Sequence, residues 1–269
     1  MTFTVETVST HRTLPGGRSA RLPGMGELTV LGSCGGFPEP GRACAGFLLS
    51  HNGFRVVLDL GYGAASRLFA HGLPDAVVVT HEHPDHCADV SALGRAWYYT
   101  VQAGSGSPRL PLYCTPGTLR RLAAMEPRPH PSELFEVHDL GAPADIGPFR
   151  LTTHELPHYL PNFGVRLTTP GLTVAYTGDT GPSPALADLG RDADLFICDA
   201  TLRTPPAEGE PRFLMTAAEA GHWAERAGAR RLMLTHFWPG TDREAAAAEA
   251  RAEFGGEVLV ADEDLTVAL

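Results

Sequence analysis

Cations are scarce in this chain: 21 Lys and Arg stand against 31 Asp and Glu, a net of −10 over 269 residues. Phosphate backbones are held by Lys and Arg, so an acidic chain without a basic run is a poor general binder of DNA or RNA. Long apolar runs are also lacking. No stretch approaches the roughly 20 residues of a membrane span. The N-terminus has no charged-then-apolar pattern of a secretory signal. The five Cys (Cys34, Cys44, Cys87, Cys114, Cys198) are odd in number and scattered, with no C-x-x-C pair. They read as free thiols, and the expected location is a reducing cytoplasm.

Apolar residues are plentiful at 43%, enough to bury a sizeable core. The length suits one large α/β domain or two small ones. Residues 1–25 are polar, contain Gly and Arg, and lack apolar period; they are expected to be a loose N-terminal extension before a single folded domain over 26–269. Within it, short apolar runs predict strands at 28–31, 46–49, 55–58, 76–79, 110–113, 135–137, 149–152, 164–167, 173–176, 194–197, 232–234 and 258–260. Helical patterns cover 64–70, 90–98, 118–124, 184–189, 216–227 and 243–254. Thr216 and Glu219 form a T-x-x-E capping box. Asp242 can cap the last helix, and Gly255 can end it. Strands in series followed by βαβα suggest two mixed sheets with helices outside.

Five predicted strands end in chemically loaded residues. The ends are Asp59-Leu60-Gly61, Thr80-His81-Glu82-His83-Pro84-Asp85-His86, Thr177-Gly178-Asp179-Thr180, Cys198-Asp199 and Thr235-His236. Loops at the carboxyl ends of strands are where α/β folds place ligand sites, so these five are expected to converge on one cleft. HEHPDH is the densest: three imidazoles and a carboxylate lie in a Pro-containing loop after an apolar strand. Borderline divalent metals take N and O ligands of this kind.

His154-Glu155-Leu156-Pro157-His158 fits the H-E-x-x-H pattern of zinc metalloproteases, in which both His lie on one helical face. Pro157 removes a helix hydrogen bond and clashes with the preceding turn, at about 3 kcal/mol. The approach Phe149-Arg-Leu-Thr-Thr is strand-like and β-branched. The segment is therefore expected to be a strand running into a loop, and the protease match accidental.

His81-x-His83-x-Asp85-His86 resembles the H-x-H-x-D-H signature of the metallo-β-lactamase superfamily. Leu31-Gly-Ser-Cys-Gly-Gly36 and Asp59-Leu-Gly61 look like its first strand turns. His158-Tyr-Leu-Pro-Asn-Phe-Gly164, Thr177-Gly-Asp-Thr180 and Leu234-Thr-His-Phe237 look like its third-His, bridging-Asp and last-His stations. The resemblance runs from about Gly26 to the C-terminus and leans toward the ribonuclease Z and cyclic-nucleotide phosphodiesterase branch. It implies an α/β fold, a four-layer αββα sandwich, with a binuclear site on its edge.

Carried over by the resemblance, His81, His83, His158 and Asp179 would hold one divalent ion. Asp85, His86, Asp179 and His236 would hold the other. Zinc is the default, with manganese or iron as alternatives. Asp85 and Asp179 are the expected catalytic carboxylates, and the nucleophile is a hydroxide shared by two ions about 3.5–4 Å apart. Asp59, Thr80 and Asp199 are expected to support the ligands. His154 is either a plain strand residue or a group that orients a ligand.

The implied activity is hydrolysis of a small or cyclic nucleotide phosphodiester. Carboxylic-ester, lactone or amide hydrolysis remains open, as does a metal-stabilised binding module with lapsed chemistry. Phosphodiesterases of this branch carry a His before the helix that precedes the last-His strand; Leu214 stands there, and His222 is no clear replacement. The span from His158 to Asp179 leaves no room for the protruding arm of tRNA-processing members, so neither tRNA nor DNA is an expected partner. A small molecule is, and a homodimer is what family relatives often form.

Overall fold

A computed structural model describes residues 26–102 and 108–269. The expected extension over 1–25 lies outside the described residues. The strands are β1 (Gly26–Gly32), β2 (Gly46–His51), β3 (Phe54–Leu60), β4 (Ala76–Val78), β5 (Leu110–Cys114), β6 (Phe135–Asp139) and β7 (Ala144–Ile146), followed by β8 (Phe149–Leu156), β9 (Asn162–Thr169), β10 (Leu172–Tyr176), β11 (Leu195–Asp199), β12 (Arg231–Thr235), β13 (Glu257–Val260) and β14 (Thr266–Ala268). They form two seven-stranded sheets, in the orders β14-β1-β2-β3-β4-β5-β6 and β13-β12-β11-β10-β9-β8-β7.

Alternation builds the layers. On β11, Leu195 and Ile197 face the core between the sheets, while Phe196 and Cys198 face helices. On β3, Val56 and Leu58 join the inter-sheet core, and Val57 and Leu60 pack outward. A strand buried on both faces loses its polar positions and reads as a continuous apolar run. The outer layers are α1 (Ala64–His71), α3 (Val90–Trp97) and α4 (Pro116–Met125) on the first sheet, and α6 (Ala185–Leu189), α7 (Ala217–Ala227) and α8 (Arg243–Glu253) on the second. The result is the expected αββα sandwich.

The end signals of α7 and α8 act as anticipated. Thr216 accepts from Glu219 N while the Glu219 side chain accepts from Thr216 N, and Asp242 accepts from Ala245 N. Gly255 is not the cap of α8; the helix stops at Glu253, and the buried Phe254 turns extended to reach the core. Thr115 and Pro116 start α4 two residues earlier than the apolar pattern indicates, because Pro fits the first helical position. The short strands β7 and β14 and the one-turn helices α2 (Pro84–Cys87) and α5 (Pro131–Leu134) carry too few residues for a period to be read. Within the described residues, no helix is long and apolar enough to cross a membrane. All five cysteines are free and buried.

Strands β3 and β4, and β10 to β12, run parallel within their sheets. Their carboxyl ends therefore deliver Asp59, Thr80-His81, Asp179, Asp199 and His236 to one edge of the sandwich.

Candidate metal centre

HEHPDH is not wholly a loop. Pro84 opens the one-turn helix α2, so Asp85 and His86 project from a helical turn and His81 and His83 from the segment before it. The 154–158 segment is strand β8 to Leu156 and non-helical at His158, as Pro157 dictates. His154 is paired opposite Gly164 on that strand, and His158 alone of the two reaches the cluster.

Two groups of side chains converge: His81, His83, His158 and Asp179, and beside them Asp85, His86 and His236. Asp179 faces both. Its Oδ1 lies 3.1 Å from the Nε2 of His86 and 3.1 Å from that of His236. Its Oδ2 lies 3.9 Å from His81 Nε2 and 3.8 Å from His158 Nε2.

The outer ring nitrogens are tied down, which fixes where the inner lone pairs point. His158 Nδ1 donates to the carbonyl of Phe213 at 3.0 Å. His86 Nδ1 donates to Asp59 Oδ2 at 2.7 Å. The Thr80 hydroxyl gives its proton to Asp59 Oδ2 and so accepts from His81 Nδ1 at 3.0 Å. The Thr201 hydroxyl donates to the His236 carbonyl and accepts from His236 Nδ1 at 2.7 Å. Four imidazoles thus present bare Nε2 atoms to the centre, and His83 presents Nδ1.

These inner atoms crowd one another: His81 Nε2 and His158 Nε2 lie 3.0 and 3.1 Å from His83 Nδ1, and His86 Nε2 lies 3.1 Å from His236 Nε2. A single proton can relieve only one such pair. Asp179 Oδ1, moreover, is buried without a hydrogen-bond partner. Donor atoms 3.0–3.9 Å apart suit one ion per group, with bonds of about 2.0–2.2 Å. The donor set therefore fits divalent cations.

Electrostatics agree. Burial holds the imidazoles of His81, His83 and His158 below their ordinary pKa, so they are neutral, the ligand form. Around His86 burial works the other way from its neighbours, and the carboxylates of Asp179, Asp85 and Asp59 win, raising it well above the ordinary range. His236 is raised likewise by Asp179 and Asp85 against burial. Burial would raise Asp179, but His236, His86 and His81 hold it well below the usual carboxylate range. This side of the cluster demands positive charge at its centre, which a divalent ion meets with neutral imidazoles.

Backbone strain marks the same place. Asp59 (φ 54°) and His236 (φ 59°) occupy the left-handed region, which costs a non-glycine residue about 1–2 kcal/mol. Asp59 offsets this with four bonds to its carboxylate, from Thr80 N, Thr80 Oγ1, His86 and Tyr176 OH. Asp199 does not touch the inner cluster. It clamps neighbouring loops, accepting from Thr180 N at 3.0 Å, Met215 N at 3.1 Å and Thr201 N at 3.3 Å. Burial, then Asp179, push its pKa up to about 7.

Tyr176, Thr201, Phe213 and Asn162 also support the cluster, beyond the residues the sequence points to. Asn162 is fully buried and donates to the carbonyls of Thr177 and Asp179, fixing the turn that carries Asp179. Two had a signal in the chain: Tyr176 directly precedes Thr177-Gly-Asp-Thr180, and Thr201 follows Asp199 by two.

The family model of the beta-lactamase superfamily domain matches residues 55–237. An uncharacterized protein of Mycobacterium tuberculosis is 35% identical over 255 residues, covering 90% of this chain and 92% of its own. YhfI of Bacillus subtilis, named a probable metallo-hydrolase, is 30% identical over 239 residues, covering 87% of this chain and 96% of its own. Its crystal structure, that of a metallo-beta-lactamase fold protein, superposes with a TM-score of 0.81 over 91% of this chain and 100% of that one. A ribonuclease Z of Kineococcus radiotolerans is 31% identical over 301 residues, covering 87% of this chain and 91% of its own. The chain belongs to the metallo-β-lactamase superfamily, among metallo-hydrolases of the branch that includes ribonuclease Z.

Proposed function

We propose that this protein is a binuclear phosphodiesterase that cleaves a small nucleotide diester, cyclic nucleotides included, with zinc at both positions. The observation that carries the reading is the stance of Asp179, whose two oxygens face the two donor groups, Oδ1 at 3.1 Å from His86 and His236 and Oδ2 at 3.8–3.9 Å from His158 and His81. A carboxylate so placed would bridge two ions. His81, His83 and His158 would hold one ion with it, and Asp85, His86 and His236 the other. Two such ions, when bound, supply Lewis acidity at a phosphoryl oxygen and bring a water's pKa toward about 7; manganese or iron suit the same donors.

The chain's own residues do the rest. Asp85 is held by Gly36 N–H on Oδ2 at 2.6 Å and accepts the proton of the attacking water. Gly36 thereby fixes the first loop over the site. Thr80, Asp59 and Thr201 keep the ligand imidazoles in the tautomer that aims Nε2 inward. No imidazole stands at Leu214 to protonate a leaving alkoxide, although the neighbouring Phe213 carbonyl is bound to His158. Substrates with good leaving groups are therefore favoured.

Transfer RNA is not part of this reading. Between His158 and Asp179 the chain builds only the β9–β10 hairpin. The match to ribonuclease Z spans 301 residues against 87% of this shorter chain, so that relative carries segments lacking here. The reading includes a cytoplasmic location, supported by five buried free thiols.

The test is hydrolysis of bis(p-nitrophenyl) phosphate, p-nitrophenyl acetate and cyclic AMP by the zinc-loaded protein. The expected order is p-nitrophenyl diester first, cyclic AMP far behind, acetate negligible. Leu214→His should raise kcat/KM on cyclic AMP within the 10²–10⁴-fold range of general acid catalysis, and change the p-nitrophenyl rate little. The absence of His at 214 favours a second reading, acyl-ester hydrolysis, which fast acetate turnover with no diester turnover would establish. Full metal content with no turnover of any ester would instead indicate a binding module.

A further inference from the structure

Large apolar side chains left in water are few among the described residues: Phe37, Tyr62, Tyr99, Met125, Val137, Tyr159 and Trp238. Single exposed apolar residues are ordinary. Four of these seven, however, are aromatic and fall in four separate loops, each within two residues of a cluster side chain or of a residue packed against one. Tyr159 follows the ligand candidate His158. Phe37 follows Gly36, whose N–H binds Asp85. Tyr62 follows Gly61, where an added Cβ would meet the Asp85 carbonyl. Trp238 lies two residues beyond His236.

The rings stand on fixed supports. Tyr159, 64% exposed, packs against His158 at 5.1 Å between centroids and against Phe213 at 4.3 Å. The loops of Phe37 and Trp238 are stitched together: Gly35 N bonds to Phe237 O at 2.9 Å, Phe237 N to Ser33 O at 3.0 Å, and Gly240 N to the Glu39 carboxylate. Thr241 N closes the turn onto Trp238 O at 3.0 Å. Phe37 and Trp238 thus sit on two joined loops that also carry Gly36, bound to Asp85, and His236, and Tyr159 packs on His158.

We infer that this aromatic mouth is a base-stacking subsite, in which Tyr159 and Trp238, with Phe37, recognise the nucleobase of a substrate whose phosphate sits in the His/Asp centre. The inference rests on the phosphodiesterase reading for what the centre does, and adds what the mouth selects. A flat heteroaromatic ring is the chemistry that matches exposed aromatic side chains on the loops around an anion-accepting centre. Each stacked base is worth roughly a fivefold to hundredfold gain in affinity. Sequence tolerance follows as well, since every base offers a π-face, so purine and pyrimidine nucleotides should both be accepted.

The test compares adenosine 5′-monophosphate with ribose 5-phosphate by calorimetry on the metal-loaded protein. The two ligands share the sugar phosphate and differ in the base. The wild type should bind the nucleotide at least tenfold more tightly. Tyr159→Ala and Trp238→Ala should each cut that preference several-fold, while ribose 5-phosphate binding and metal content stay the same. Tyr159→Phe should keep it. Equal affinities in the wild type, no nucleotide binding, or variants that weaken both ligands alike would overturn the subsite. So would a dimer that dissociates when these rings are removed, with no nucleotide preference; that would make the mouth an interface between two copies. A nucleotide preference without turnover of any diester would uphold the subsite and remove the phosphodiesterase reading. Turnover without the preference would do the reverse.

Discussion

The Nδ1 of His86 meets Asp59 Oδ2 at 2.7 Å, and the same oxygen also receives the hydroxyls of Tyr176 and Thr80, both at 2.9 Å. One buried carboxylate therefore orients one imidazole of the cluster directly and a second, His81, through Thr80. Second-row partners of this kind typically contribute 10–100-fold in metal affinity. Asp59→Ala should accordingly weaken the tighter-binding divalent ion by about that factor in a chelator competition. Tyr176→Phe removes only one donor, and should cost about 1 kcal/mol of stability with little change in metal affinity. Wild-type affinity in Asp59→Ala would show that the fold, not this carboxylate, aims the rings.

Glu82, the one acidic residue of HEHPDH outside the cluster, anchors the motif elsewhere. Its carboxylate occupies the space that a Cβ at Gly117, in the first turn of α4, would take. Gly117 thus leaves room for a carboxylate at a helix N-terminus, where negative charge is stabilised. Gly117→Ala should push Glu82 aside and disturb the neighbouring His81 and His83, lowering both the unfolding temperature and metal content. Glu82→Ala in the same chain should relieve the clash and restore most of the metal. A double variant as damaged as Gly117→Ala alone would contradict this contact.

The 154–158 segment separates two readings of one motif. His158→Ala should lose metal, whereas His154→Ala and Glu155→Gln, on strand β8 and outside both donor groups, should retain nearly all metal and activity. Loss of peptide hydrolysis in Glu155→Gln alone would restore a metalloprotease mechanism.

Much of this centre is legible in the chain because its chemistry is local. His81 to His86 sit within six residues, and Asp179 and His236 each follow an apolar strand, so strand-end position alone brings them to one edge. The protease look-alike is dismissed by one residue, Pro157, whose ring excludes a helix. What the chain conceals is tertiary. Tyr176 reaches Asp59 across the two sheets, and the Phe213 carbonyl reaches His158 from a loop before α7; neither contact has a sequence spacing to betray it. The one-turn helix α2 escapes notice because four residues carry no period, although Pro84 at its first position gives the start away in hindsight.

The most direct test of the account is the metal content of Asp179→Ala beside that of His236→Ala. Among the described residues, Asp179 alone has a carboxylate facing both donor groups, so its removal should lower occupancy at both positions and abolish diester turnover. His236 serves one group, and its removal should chiefly empty one position, leaving close to one equivalent by plasma emission analysis after gel filtration. Two full equivalents in Asp179→Ala would contradict the bridge, and with it the binuclear centre on which the proposed chemistry stands.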